Sequence, residues 1–147
     1  ALQMTNILRD IPADLALGRC YIPNDRLAEI GLNHEDLYNP DSIDVFRPLY
    51  DSYLDLTCEH YDFAINYIRM IPRKYRSLRM ACMLPVVIGL ETIALLRKGN
   101  VLDASERIKV NRSRIRKIAV FCVISTRFKR MENKILSKAA NRAINGF

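Results

Sequence analysis

The stretch from Met80 to Leu96, MACMLPVVIGLETIALL, restricts the folds open to this chain more than any other segment. At 17 residues it reaches the lower edge of the length a helix needs to cross a bilayer. It also contains Glu91 and Pro85, and a carboxylate is expensive in hydrocarbon. A helix that is apolar on nearly every side belongs either in lipid or at the centre of a bundle. Glu91 favours the bundle. The spacing predicts a helix over about Arg73–Lys98, bent at Pro85 and ended by Gly99-Asn100.

The flanking segments supply helices to surround it. A long helix is predicted from Ile43 to Ile71, with Phe46, Leu49, Tyr53, Leu56, Ala64, Tyr67 and Ile71 as its packed face and Pro72 as its stop. Ala1–Leu17 has helical spacing through Leu2, Ile7, Leu8, Ile11 and Leu15, with a kink expected at Pro12 and a stop at Gly18. Arg19–Pro23 reads as an extended link. A short helix follows from Asn24 or Asp25 to Gly31, and further helical turns are expected around Glu35–Leu37. VLDASERIKVN reads as a connector, and a basic helical tail is expected over about 112–147. Neither strand alternation nor an internal repeat is found, so the prediction is one all-α domain over 1–147 with no internal boundary.

Four cysteines, Cys20, Cys58, Cys82 and Cys122, lie far apart and only two histidines are present. No zinc site or disulfide framework fits that spacing, so buried, reduced thiols in a cytoplasmic protein are expected. No signal peptide is expected either, because the first residues lack a basic start followed by an apolar run.

The net charge of +7 is unevenly spread. Residues 1–62 hold twelve acids and four bases, whereas residues 107–147 hold twelve bases and one acid, Glu132. An acidic front suits cation binding; a basic end suits an anionic surface. Nucleic acid is not the expected partner, since the basic region lacks aromatics interleaved for base stacking. Contact with anionic lipid and a plain solvated helix both remain open for it.

The acidic front has a pattern of its own. On an α-helix, positions 3, 6, 10 and 14 fall within an arc of about 80°. Gln3, Asn6, Asp10 and Asp14 would then share one face. Asp10 and Asp14, four residues apart, can reach one cation, and Asn6 can add a neutral oxygen. Oxygen donors without His or Cys favour Mg2+ over a transition metal. The same D-x-x-x-D spacing also arises on solvated helices. Asp51 and Asp55 repeat it within DSYLD and read as a solvated acidic face, with metal binding the lesser alternative.

The string around the first pair is more specific. ALQMTNILRDIPADLALGRCYIP closely resembles the second aspartate-rich motif of the squalene/phytoene synthase family, through Gln3, Thr5, Asn6, Ile7, Leu8, Arg9, Asp10, Asp14, Gly18, Arg19, Tyr21 and Pro23. YRSLRMACMLPVVIGLETIALLRKGN and ERIKVNRSRIRKI are similar to the C-terminal region of its bacterial squalene-type branch.

The resemblance implies an all-α, isoprenoid-synthase-type helical bundle that joins two prenyl diphosphates head to head. Asn6, Asp10 and Asp14 would bind Mg2+, with Asp10 and Asp14 as the catalytic carboxylates. Gln3, Arg19, Tyr21 and Arg107 would contact substrate, although Arg107 also reads as a solvated loop arginine. Mg2+ would assist ionisation of one farnesyl diphosphate, and the second molecule's double bond would attack the cation. NADPH enters only where the product is reduced to squalene; hydroxysqualene, dehydrosqualene and phytoene are the other outcomes.

The family carries an earlier D-x-x-x-D motif facing the second one across the cavity, and nothing before Gln3 supplies it. The chain is therefore expected to be the C-terminal half of a synthase, inactive alone, with the N-terminal half as partner and the membrane surface as its location. The alternatives are a noncatalytic, partner-binding helical module descended from such a synthase and an unrelated membrane-surface protein.

Overall fold

The computed structural model describes residues 1–105 and 107–146; Glu106, the first residue of ERIKV, and Phe147 lie outside the described residues. Among the described residues seven α-helices occur in chain order: α1 (Leu2–Arg9), α2 (Ile11–Ala16), α3 (Asn24–Glu29), α4 (Ile43–Met70), α5 (Arg76–Leu96), α6 (Arg112–Ser125) and α7 (Lys129–Asn145). Two short 3₁₀ turns, Glu35–Tyr38 and Pro40–Ser42, lead into α4. No strand is present among the described residues.

The apolar run forms α5, which packs against α1, α4, α6 and α7. By length and composition α5 could cross a membrane, yet 44% of its most apolar window is buried inside the protein. It is the central helix of the bundle. The helix continues through Pro85, which cannot donate to the Ala81 carbonyl one turn earlier. Ala81 is exposed, so water can satisfy that carbonyl.

Helix α4 also forms where expected, but its buried face is rotated. Phe46, Leu49, Tyr50, Leu54, Thr57, Cys58, Tyr61, Ile65 and Ile68 face inward. Leu56 and Tyr67, placed on the packed face by sequence, are exposed, and Tyr53 and Ala64 are only half-buried. Two of the three glycine stops behave as read, whereas α5 ends at Leu96, before Gly99. Gly18 and Gly31 have φ of +70° and +75°, the left-handed conformation that ends a helix at little cost only in glycine.

The basic helical tail expected over about 112–147 is two packed helices. Residues 126–128 turn the chain, and α7 returns against α5 and α4. The sole acid of this region, Glu132, is buried and ion-paired with the equally buried Arg79. Arg79 also donates to the Ile71 carbonyl at the end of α4. Arg73 donates to the Thr126 carbonyl at 3.1 Å and lies 3.6 Å from Glu132. Together these contacts tie the α4–α5 connector to the α6–α7 turn.

All four cysteines are free; Cys58 and Cys122 are buried, while Cys20 and Cys82 are half-buried. Burial pushes the Cys122 thiol up to about 11, so it stays protonated and behaves as a small apolar side chain.

Candidate functional site

The helix expected over the first 17 residues breaks at Asp10, whose φ of −98° and ψ of 17° depart from helical values. Pro12 opens the second segment as its second residue. Having no N–H, it leaves the Leu8 carbonyl without its helical donor. The Tyr50 hydroxyl fills that vacancy from α4, at 3.0 Å. On either side the helical register persists: Asp10 N–H donates to Asn6 and Asp14 N–H to Asp10, both at 2.9 Å.

Two more tyrosines hold this segment. A 2.8 Å hydrogen bond joins the Thr5 and Tyr61 hydroxyls in the interior. The Tyr38 hydroxyl donates to the Leu15 carbonyl at 2.7 Å. Gly89 of α5 makes room for Tyr61, since a Cβ there would overlap its hydroxyl. None of Tyr38, Tyr50 and Tyr61 was singled out as a site residue from sequence. The proline was the available signal, because it orphans a buried carbonyl that needs a donor.

Asp10 is the electrostatic focus. Its Oδ1 accepts from Arg9 Nε at 3.0 Å and its Oδ2 from Arg9 Nη2 at 2.5 Å. Arg107 reaches back from the α5–α6 connector to the same Oδ1 at 3.3 Å. The hydrogen bonds from Arg9 hold the Asp10 carboxyl below its ordinary range despite partial burial, and Arg107 adds to the effect. Asp10, Arg9 and Arg107 line one open pocket of about 310 Å³, alongside Pro12, Val101 and Ile108.

Asp14 lines a separate small crevice with Arg19 and Tyr21. Gln3 and Asn6 are exposed on α1 and line neither depression. The structure thus brings Asp10 to Arg107 and Arg9, and Asp14 to Arg19 and Tyr21. Among the described residues, no group of three or more His, Cys, Asp or Glu is gathered for a metal ion. The donors that are present, two carboxylates and an amide, suit a hard cation such as Mg2+. At Asp10, guanidinium groups occupy the positions such a cation would take.

Asp51 and Asp55 have structural partners. Asp51 lies 3.8 Å from Arg47, which donates to the carbonyls of Leu96, at 3.1 Å, and Gly99. Asp55 pairs at 2.5 Å with Arg97. These arginines close the C-terminal end of α5, where cations complement the helix dipole. Asp55 is exposed, in keeping with a solvated face, whereas Asp51 is half-buried.

Residues 1–114 match the squalene/phytoene synthase family. The presqualene diphosphate synthase of Zymomonas mobilis is 33% identical over 106 residues, 67% of this chain and 31% of that protein. The 15-cis-phytoene synthase of Synechococcus elongatus is 34% identical over 76 residues, 52% of this chain and 25% of that protein. A chloroplastic phytoene synthase from an Oncidium hybrid cultivar is 51% identical over 47 residues, 32% of this chain and 11% of that protein. The chain therefore spans less than a third of the length of each of these relatives. On the family match over most of its residues, joined to an all-α bundle, the chain belongs to the squalene/phytoene synthase family.

Proposed function

We propose that this chain contributes one diphosphate-activating surface to the head-to-head condensation of two farnesyl diphosphates, yielding squalene or a squalene precursor. One observation carries the reading: Arg107 and Asp10, 97 residues apart, meet beside Arg9 in one pocket. A carboxylate that can hold a cation and two guanidinium groups that can meet phosphate oxygens are thereby placed together. A relative that aligns with two thirds of this chain is a presqualene diphosphate synthase, which supports the squalene-type branch.

Asp10 and Asp14, with Asn6 on the same side of the helical segment, would hold Mg2+ once Arg9 and Arg107 turn from Asp10 to the diphosphate, and Gln3 would approach from the exposed face of α1. Mg2+, when bound, neutralises charge on the departing diphosphate. Arg107 and Arg9 orient the diphosphate, and Arg19 and Tyr21 extend the polar surface beside Asp14. The apolar helices α4 and α5 would supply walls that keep water from a carbocation. Reduction of the product to squalene would draw on NADPH.

One carboxylate set serves one diphosphate, so the polypeptide by itself is expected to be inactive. The test is diphosphate release from farnesyl diphosphate with Mg2+, with and without a second polypeptide bearing the family's other D-x-x-x-D motif. Release only in the mixture, abolished by Asp10→Ala, is the expected result. Release by the chain alone would overturn the inactivity; no release from a properly associated mixture would overturn the catalytic reading.

A further inference from the structure

Among the large apolar side chains left in solvent, those on α6 and those on α4 form two faces that charge distinguishes. On α6 and the turn after it, Val120, Phe121, Val123, Ile124 and Phe128 are 42–60% exposed. On α4, Leu56, Phe63, Tyr67 and Met70 are 42–80% exposed. At 100° per residue, Arg116, Lys117, Val120, Val123 and Ile124 share an arc of about 120°. Ile118 and Cys122 point the other way, into the core. The outward side of α6 is therefore cationic in its first half and apolar in its second.

Around this ridge Arg112, Arg116, Lys117, Arg127, Lys129 and Arg130 are all exposed. The sole acid after Arg107, Glu132, is buried against Arg79 and adds no negative charge to the surface. The α4 face carries exposed Glu59 and Asp62, with Asp55 paired to Arg97 and one cation, Arg69, exposed beside them. An anionic surface would attract the first face and not the second.

From this juxtaposition we propose that α6 lies in the interface of an anionic bilayer. Val120, Phe121, Val123, Ile124 and Phe128 enter the boundary between headgroups and acyl chains, and the flanking cations meet lipid phosphates. A nucleic acid would satisfy the cations but leave the apolar ridge in water. The helix lies on the membrane rather than across it: the cations at both ends of its exposed side stay with the headgroups. The inference is independent of the proposed chemistry, because it concerns a different face and its test reads no diphosphate.

The chain contains no tryptophan, so a single introduced one reports without background. Phe128→Trp and Phe63→Trp, each in the full chain, would be mixed with phosphatidylcholine vesicles with and without phosphatidylglycerol. The expected result is a blue-shifted Phe128→Trp emission, quenched by brominated acyl chains, only when phosphatidylglycerol is present. Phe63→Trp should not respond. Adding Arg116→Gln and Lys117→Gln to the Phe128→Trp chain should weaken partitioning about 30-fold at low salt. Equal responses from both tryptophans, equal binding to neutral vesicles, or binding to duplex DNA without any quenching by brominated lipid would each overturn the proposal.

Discussion

The Tyr50 hydroxyl donates to the Leu8 carbonyl, the acceptor that Pro12 cannot serve. The long helix thus repairs the break in the segment carrying the aspartates. Tyr50→Phe should destabilise the fold by about 1–3 kcal/mol, the usual effect of orphaning a buried acceptor. Pro12→Ala restores an N–H beneath Leu8 and should recover part of that loss in the double mutant. Urea denaturation of the four variants checks this; strictly additive effects would show that proline and tyrosine do not share the carbonyl.

Gly89 is required by Tyr61. An added methyl would displace the tyrosine hydroxyl from Thr5 and open the α1–α4–α5 contact. Gly89→Ala should destabilise by about 1–3 kcal/mol, as overpacking of a filled core does. Tyr61→Phe in the same chain should relieve part of this, because it removes the overlapping oxygen. Thermal melts of the single and double variants would reveal the rescue or its absence.

Arg79 and Glu132 form a buried pair, and losing one partner strands the other. Glu132→Ala should destabilise by about 3–5 kcal/mol, whereas replacing both with apolar residues of similar volume should come close to neutral. Chemical denaturation of the single and double replacements separates these outcomes. A single replacement as mild as the double one would show that water reaches the site.

Glu91 gives the fold a pH dependence. Burial raises its carboxyl, but hydrogen bonds from Arg114 and Arg142 outweigh that and leave it below the usual 4.5. A carboxyl lowered in the folded state stabilises fully above its unfolded value and progressively less as pH falls through the folded one. Stability should therefore drop below about pH 4.5, with part of the slope missing in Glu91→Gln. Melting temperatures across the acid range provide the measurement, and identical slopes would assign the acid loss to other carboxylates.

Local signals in the sequence survived folding well. Gly18 and Gly31 end helices because glycine enters the left-handed region freely, whatever packs nearby. The apolar run was placed correctly at the centre, since so much apolar surface must be covered on every side. The phase of α4 was not legible. Apolar and aromatic residues occur on two of its sides, and a 3.6-residue period fits either; the buried face lies about a quarter turn from the one read.

At the candidate site, the motif points to Asp10 and Asp14, but spacing could not supply the long-range partner of Asp10. Arg107 reaches Asp10 through tertiary packing, joining the adjacent Arg9, and the break at Asp10 separates its pocket from that of Asp14. The burial of Glu132 was not legible either, because its partner, Arg79, is 53 residues away. The turn at 126–128 contains neither glycine nor proline, so nothing local announced it.

The anchors of α1 and α2 carry a kinetic consequence. Thr5, Leu8 and Asp10 find partners 56, 42 and 97 residues away, whereas α4 and α5 are neighbours in the chain and can pair through a short connector. Closing long loops delays contact formation, so the acidic segment should dock onto an α4–α5 hairpin already in place. In hydrogen exchange its amides should open before those of α4 and α5, through a partial unfolding that leaves the hairpin intact. The carboxylates would then be the last groups ordered as the chain folds and the first released as it loosens.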